Sequence, residues 1–280
     1  MELVKNVVTD EERAFYGTCR TMFSDCEFSG PADGESALKE TKELTVRKCR
    51  FYLRYPLWHT ERLELCDCFM AETCRAPLWY GRFLNLKNSV LDGTKALREC
   101  VGMTLSALKI KSDEFGWKCR ELNIYDVDLT SSYPFFMTEK IYAEKLVMKA
   151  KYSFQYVKDV VISGSYLDTK DAFWHSENVT VRNSVIKGEY LGWYSKGLTL
   201  ENCTIIGTQP LCYAEDLKMI NCRTEDCDLA FERSTVDVEV SGDITSVKNP
   251  VGRIVADGIG EVIRDKFATG ECEIVIRGKS

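Results

Sequence analysis

The stretch that decides the fold is Lys196-Gly-Leu-Thr-Leu-Glu-Asn-Cys-Thr-Ile205, which returns one repeat later as Glu215-Asp-Leu-Lys-Met-Ile-Asn-Cys-Arg-Thr224. Working outward from it, eleven segments share the pattern. The intervals between their first apolar residues are 19, then 21, then 19 eight times in succession. So strict a register is typical of a solenoid, in which each repeat is one turn stacked on the next. We take these first apolar residues as anchors: Leu44, Leu63, Leu84, Met103, Leu122, Ile141, Val160, Val179, Leu198, Leu217 and Val236.

The first half of each turn has the pattern of a half-buried strand. Counting from the anchor as +0, positions +0 and +2 are apolar, as in Val160/Ile162 and Val179/Val181. Such alternation with a period of two is the mark of a strand with one buried face. Position +7 is apolar as well, so we expect it to point inward.

Small residues and amides mark a corner between these two inward stretches. Position +5 is often Cys or Ser, and a buried free Cys behaves as a compact apolar residue, so we interpret this column as packing. Position +4 carries Asn in several turns, and Asn tolerates the left-handed backbone of a sharp corner. Stacked amides can also hydrogen-bond from turn to turn. The asparagines are Asn88, Asn183, Asn202 and Asn221.

The second half of each turn is rich in aromatic residues, and we read it as a second strand. Position +14 is mostly Trp or Phe, so +12, +14 and +16 are predicted to face inward and +11, +13 and +15 outward. This phase points Arg98 and Gln155 inward, where each needs polar partners. The opposite phase is less favourable, because it would bury Glu99, Lys118, His175 and Glu232.

These patterns predict an all-β, single-stranded, right-handed parallel β-helix with about 19 residues per turn. The period is not a multiple of six, which excludes a hexapeptide helix, and the second half-turn lacks the 3.6 period of a leucine-rich repeat. Residues 1–240 are assigned to the solenoid with an N-terminal partial turn, and residues 241–280 to a C-terminal β cap. Gly30–Gly34 is predicted to be a loop.

The repeats resemble an uncharacterised bacterial family, a domain of unknown function, in the pectin-lyase-like β-helix superfamily. The similarity covers roughly residues 12–250 and implies the fold but no activity. Polygalacturonase-like members of the superfamily carry Asn-Thr-Asp, Asp-Asp, Gly-His-Gly and Arg-Ile-Lys motifs, and none is present here. The segments that carry the resemblance are Lys196–Ile205, Pro56-Leu-Trp58, Asp171-Ala-Phe-Trp174 and Tyr190-Leu-Gly-Trp193.

Composition narrows the classes of partner. The net charge of -6 argues against a nucleic-acid partner. The sequence has no run of 18 apolar residues, so no membrane span is predicted. With 13 cysteines and no apolar leader after Met1, the chain is expected to be cytoplasmic with free thiols. Cys66-Asp67-Cys68 has no second pair at zinc spacing, so neither a metal site nor a cofactor is predicted.

The predicted outward face of the second half-turn is the candidate binding surface. Turns lie about 4.8 Å apart, so five of them would form an aromatic surface roughly 20–25 Å long. Three roles are open: a face covered by the cap or by a second copy, a site for an elongated ligand such as a glycan, and a catalytic site. Its candidate ligand-binding residues are Tyr133, Phe135, Tyr152, Phe154, Tyr156, Phe173, His175, Tyr190, Tyr194 and Tyr213.

Catalysis on this face would need an acid and a base that converge. Asp171 and His175 are four residues apart on one extended segment, about 13 Å, which is too far for a hydrogen bond. Residues on two neighbouring turns converge better, and those candidates are Glu99, Glu114 and Lys118. The first reading is therefore a non-enzymatic β-helix that binds or self-associates through its aromatic face. A polysaccharide-binding or polysaccharide-active protein is the alternative.

Overall fold

A computed structural model of the chain describes residues 1–30 and 36–278, so the predicted loop lies outside the described residues except for Gly30. The described residues contain 25 β-strands and no helix. The chain divides into two compact units, Met1–Val147 and Met148–Ser280, and in each the strands pair in parallel from turn to turn. The predicted all-β parallel solenoid with about 19 residues per turn is confirmed.

The strands of the first unit come in short pairs, one pair per turn, until the later turns merge them into longer strands. They are β1 (Glu2–Lys5), β2 (Val8–Thr9), β3 (Thr21–Ser24), β4 (Glu27–Phe28), β5 (Lys42–Arg47), β6 (Arg50–Phe51), β7 (Glu61–Cys66), β8 (Phe69–Met70), β9 (Arg82–Lys87), β10 (Val90–Leu91), β11 (Val101–Lys111), β12 (Arg120–Thr130) and β13 (Glu139–Lys149), whose last two residues belong to the second unit.

The second unit has the same arrangement. Its strands are β14 (Lys158–Ser163), β15 (Tyr166–Asp168), β16 (Glu177–Arg182), β17 (Val185–Lys187), β18 (Lys196–Glu201), β19 (Thr204–Ile206), β20 (Leu217–Glu225), β21 (Thr235–Ser241), β22 (Asp243–Lys248), β23 (Val251–Ala256), β24 (Gly258–Ile263) and β25 (Cys272–Ile276).

Anchor residues lie opposite one another on successive turns. Val179 on β16 pairs with Leu198, the next anchor along the chain, on β18. Where the sequence has its longer interval, Leu63 pairs with Leu84, so the two extra residues are accommodated without loss of register. The repeat length in the sequence is thus the length of one turn in space.

The core lies between the anchor strand and the short strand that follows it. In the turn that begins at Val160, the anchor, Ile162 and Leu167 are each at most 1% exposed. The Cys/Ser column is also buried, with Cys203 and Cys222 at 2% or less. The thiol of Cys203 donates to the carbonyl of Val181, 3.3 Å away, which supports a packing role.

Three of the four corner asparagines form the expected ladder. Asn183, Asn202 and Asn221 have φ of 49°, 52° and 50°, the left-handed region. The Asn202 amide donates to the Asn183 side-chain oxygen at 3.2 Å, and Asn221 donates to Asn202 at 2.7 Å. In these three turns the corner is therefore stabilised by the amide of the neighbouring turn.

The C-terminal residues also stack in parallel. Strand β23 pairs with β21, β25 pairs with β23, and β24 pairs with β22. The segments between these strands are less regular in length than those of the preceding turns.

The second half-turn differs from the predicted strand. Position +13 is buried, since Phe135, Phe154 and Phe173 are at most 1% exposed, whereas the Trp residues at +14 are half-buried. The reason is that +13 and +15 have left-handed backbone, with φ of 61° at Phe173 and 52° at His175. Two such residues turn the chain sharply, so the alternation of an extended strand does not apply.

Candidate functional site

The sharp turn builds a column of surface rings in the second unit from position +15. Tyr156, His175, Tyr194 and Tyr213 lie on successive turns with nearly parallel rings. The centroid distances are 4.9, 5.0 and 5.0 Å, and the interplanar angles are 11°, 8° and 12°. We call these four residues the edge ladder. Because each inner ring has a neighbour on both sides, its faces are covered, and the ladder presents ring edges to solvent.

Indole rings form a second column beside the ladder. Trp174 and Trp193 stack at 5.5 Å with an interplanar angle of 2°. Each indole N–H donates to a main-chain carbonyl of the next turn, from Trp174 to Tyr190 at 2.8 Å and from Trp193 to Gln209 at 2.9 Å. The tryptophans therefore fasten one turn to the next and leave an apolar edge half exposed.

Together these residues make one surface, which we call the aromatic face of the second unit. It contains the edge ladder, the two tryptophans, and the half-buried Tyr152 and Tyr190 at +11. Tyr156 and Tyr194 are 47% and 43% exposed, and His175 is exposed as well. At one end of the face, burial raises the pKa of Tyr213, and the negative charge of Glu232 adds to the rise.

Most predicted ligand-binding residues lie at the surface, but three do not. Tyr156, His175 and Tyr194 are exposed, and Tyr133, Tyr152, Tyr190 and Tyr213 are half-buried. The prediction is wrong for the three phenylalanines at +13, because the left-handed turn directs them into the core. The residues corrected in this way are Phe135, Phe154 and Phe173.

The first unit has a related surface interrupted by a cation. Trp58 stacks on Trp79 at 5.3 Å, and the Arg98 guanidinium lies 4.8 Å from the ring centres of both Trp79 and Trp117. Glu114 accepts from Arg98 at 3.1 Å. Arg98, predicted to point inward, is thus partly covered between two indoles and paired with a carboxylate.

Gln155, the other predicted inward polar residue, takes the place of a tryptophan. It is 8% exposed, and its Nε2 donates to the main-chain carbonyl of Asp171 at 3.2 Å. The separation along the chain is the same as for the two indole bonds. The amide therefore satisfies the carbonyl that an indole N–H satisfies in other turns.

The predicted catalytic residues are not brought together as an acid–base pair. Glu114 is held by Arg98 and by Lys95, whose Nζ is 3.0 Å from the carboxylate. Glu99 and Lys118 are exposed on adjacent turns, with no ion pair within 4.0 Å in the described part of the chain. His175 is stacked within the edge ladder.

Asp171 differs from the other acids. It is 7% exposed, and burial is the main cause that raises the pKa of its carboxyl; Glu189 adds to the rise, while Lys170 and Lys151 oppose it. The sequence already distinguishes this position, because Asp171 is a short acidic residue where the turns before and after have Tyr.

Sequence reasoning missed a groove in the second unit beside the aromatic face. It encloses about 380 Å³, and Gly188 and Gly207 form part of its wall. A Cβ at Gly188 would lie 1.8 Å from the Thr169 carbonyl oxygen, and one at Gly207 2.1 Å from the Gly188 carbonyl oxygen. The signal was available, because both glycines occupy position +9 on successive turns.

Within residues 1–30 and 36–278, no three His, Cys, Asp or Glu side chains are grouped so that they could hold a metal ion. All 13 cysteines lie in these ranges, and all are free thiols. The same ranges contain no helix with the length and apolarity to cross a membrane.

The chain belongs to a family described as "Protein of unknown function (DUF3737)", whose sequence profile matches residues 2–277. This confirms the predicted membership of an uncharacterised β-helix family. No curated protein has a sequence that matches the chain.

Solved structures with a similar course of the chain are remote. A surface adhesin of Streptococcus pneumoniae, PfbA, is 9% identical, with 81% of this chain and 71% of that chain covered and a TM-score of 0.34. A periplasmic alginate epimerase is 9% identical, with coverages of 99% and 73% and a TM-score of 0.26. The A-module of a mannuronan C-5 epimerase of Azotobacter vinelandii is 11% identical, with coverages of 99% and 74% and a TM-score of 0.24. Similarity at this level does not assign an enzymatic activity to this chain.

Proposed function

We propose that this member of a family without an assigned activity is a non-enzymatic binding protein. In this proposal, the aromatic face of the second unit receives an extended segment of a protein partner.

The observation that carries the proposal is the small number of charged residues on this face. Positions +11 to +15 of four successive turns contain one residue of the Asp, Glu, Lys and Arg types, Asp171, and one histidine, His175. The chain as a whole is 29% charged. Depletion of charge together with enrichment of Tyr and Trp is the compositional signature of the centre of a protein–protein interface. The four segments are Tyr152–Tyr156, Asp171–His175, Tyr190–Tyr194 and Gln209–Tyr213.

The exposure of the tyrosines adds to this argument. Tyr156 and Tyr194 leave nearly half of their surface open, and the Tyr194 hydroxyl has no hydrogen-bond partner among the described residues. Tyr contributes a large contact area with few rotatable bonds, so ordering it on binding costs little entropy. The stacked ladder holds the rings in place before the partner arrives, which lowers that cost further.

The absence of a convergent acid and base among the candidates supports a role without catalysis. Glu114 is held by two cations, and His175 stacks between two tyrosines rather than facing a carboxylate. General acid–base chemistry needs a donor and an acceptor within hydrogen-bond reach of one substrate atom.

An elongated glycan is the second candidate, and one observation favours it. The polar edges of the edge ladder repeat every 4.9–5.0 Å, which gives a regular row of hydroxyl and imidazole groups. The covered ring faces count against it, because a sugar ring stacks on an open aromatic face. A bound glycan would therefore depend on hydrogen bonds to ring edges.

The test uses the double variant Tyr156→Ser/Tyr194→Ser and the matched control Tyr166→Ser. Tyr166 is 42% exposed in the same unit but lies at +6, away from the aromatic face. Arrays of extended peptides and of glycans are probed with each protein, and light scattering gives its mass. We expect wild type and Tyr166→Ser to bind a common set of peptides that the double variant does not bind.

Three results would overturn the protein-partner proposal. The double variant could retain the same peptides, which would place binding elsewhere. Glycans alone could bind and be lost in the double variant, which would establish the second candidate. Wild type could be a multimer that the double variant breaks into single chains, which would assign the face to self-association.

A further inference from the structure

The aromatic face carries a short side chain at Asp171. Asp171 occupies position +11, and the equivalent residues one turn before and one turn after are Tyr152 and Tyr190. The short side chain is 7% exposed between these larger neighbours. Its carboxylate oxygens still reach solvent, since the unpartnered and fully buried side-chain oxygens among the described residues are those of Ser176 and Thr224.

The Asp171 carboxylate has no partner among the described residues. No hydrogen bond to its oxygens is formed, and no cation lies within 4.0 Å. Lys170 is 3.2 Å from Glu189 and lies over the ring of Tyr190, 5.5 Å from its centre. Lys151 lies 4.9 Å from the ring centre of Tyr152. A largely buried carboxylate in this state is destabilised, because Lys170 and Lys151 offset its lost hydration only in part and neither pairs with it.

The repeat itself shows what is missing. Glu114 is the carboxylate at +11 in the first unit, and its cations come from the preceding turn, Lys95 at +11 and Arg98 at +14. In the turn that precedes Asp171, those two positions are Tyr152 and Gln155. Gln155 bonds the main-chain carbonyl of Asp171 by its Nε2. The second unit thus keeps the carboxylate and lacks both of the cations that the first unit supplies.

We propose that Asp171 is a receptor for an arginine guanidinium, which binds between Tyr152 and Tyr190 and pairs with the carboxylate. The guanidinium is planar, weakly hydrated and able to stack on aromatic rings while it donates two hydrogen bonds to a carboxylate. Arg98 shows this mode within the same chain, between two indoles at 4.8 Å and paired with Glu114 at 3.1 Å.

This assignment rests on the proposed function only in the identity of the donor, a side chain of the bound protein segment. The subsite itself needs a guanidinium and no partner protein. A small molecule therefore tests the two proposals separately.

The probe is N-acetyl-arginine amide, and N-acetyl-citrulline amide is its neutral isostere. The carboxyl carbon of Asp171 is followed by NMR over pH at increasing probe concentration. Because a cation favours the ionised carboxylate, we expect the arginine compound to lower the apparent pKa of Asp171 and the citrulline compound to leave it unchanged. We expect Asp171→Asn to bind the arginine compound at least about tenfold more weakly than wild type, as for loss of a charge-assisted hydrogen bond.

The matched control is Asp237→Asn, which removes one exposed carboxylate of the same unit and should bind as wild type does. Equal effects of the arginine and citrulline compounds, or equal binding by Asp171→Asn and wild type, would overturn the assignment. It would also fail if Lys151→Gln raised the pKa of Asp171 while the arginine compound had no effect on wild type, since Lys151 would then be the partner. Loss of peptide binding in the Tyr156→Ser/Tyr194→Ser variant with an intact arginine response would separate the two proposals.

Discussion

Replacing Phe173 by Ala tests most directly whether position +13 of the second half-turn is buried in the core. The Phe173 ring is 1% exposed and stacks on Phe154 at 5.2 Å with an interplanar angle of 16°. Truncation of a buried Phe to Ala typically costs about 3–5 kcal/mol, through lost transfer energy and the cavity that remains. The rigid stack of turns limits collapse around that cavity, so we expect a loss of about 4 kcal/mol in the free energy of unfolding. In a chain of this size that corresponds to a fall of roughly 7 °C in midpoint temperature.

His175→Ala is the matched control two residues away. His175 is exposed, and its contacts are the rings of Tyr156 and Tyr194, so the expected loss is about 1 kcal/mol. Both residues have left-handed backbone, which cancels from the comparison. Urea unfolding followed by circular dichroism gives both values. If +13 pointed outward from an extended strand, Phe173→Ala would lose little stability. A loss below about 1 kcal/mol in Phe173→Ala would therefore refute the buried position of its ring.

Three further predictions concern backbone, charge and thiols. Gly188→Ala places a Cβ 1.8 Å from a main-chain oxygen, so its free energy of unfolding should fall by at least about 3 kcal/mol in thermal unfolding. The control Gly164→Ala, at φ of 57° with open space around the Cβ, should lose about 1 kcal/mol. Equal losses would contradict the close approach at Gly188. Because the pKa of Asp171 is raised on folding, the unfolded chain releases that proton first, and stability falls as pH rises through the two pKa values. In urea titrations, Asp171→Asn should therefore be more stable than wild type at pH 7 and equal to it below about pH 3. A variant less stable than wild type at pH 7 would be inconsistent with an unpaired carboxylate. Burial raises the pKa of Cys212 to about 12, so iodoacetamide at pH 8 should label the exposed Cys19 and spare Cys212 until the chain is unfolded, by peptide mass mapping; rapid labelling of Cys212 in the folded chain would disprove its burial.

The aromatic face shows how far the sequence reaches toward the candidate site. Tyr156, His175 and Tyr194 were placed outward correctly, because +15 is outward in a strand and in the observed turn alike. The outward prediction is wrong for Phe135, Phe154 and Phe173, because alternation assumes extended backbone on both sides of each residue. The ring stacking that covers the faces of the ladder depends on neighbours one turn away, and single-sequence patterns carry no orientation of side chains.

The sequence by itself determined the period, the anchor strands and the corner chemistry. The alternation at +0 and +2 and the Asn-Cys pair are local signals that repeat, so each turn confirms the assignment of the next. The tertiary structure alone decided the second half-turn. A left-handed backbone at a bulky Phe or His is unfavourable in isolation. Gly116 and Gly192 at +13 favour it, with φ of 66° and 69°, but other turns carry Phe or Leu at that position. Stacked neighbours on adjacent turns make it the stable choice, which sends Phe173 into the core, leaves ring edges at the surface, and isolates the carboxylate of Asp171.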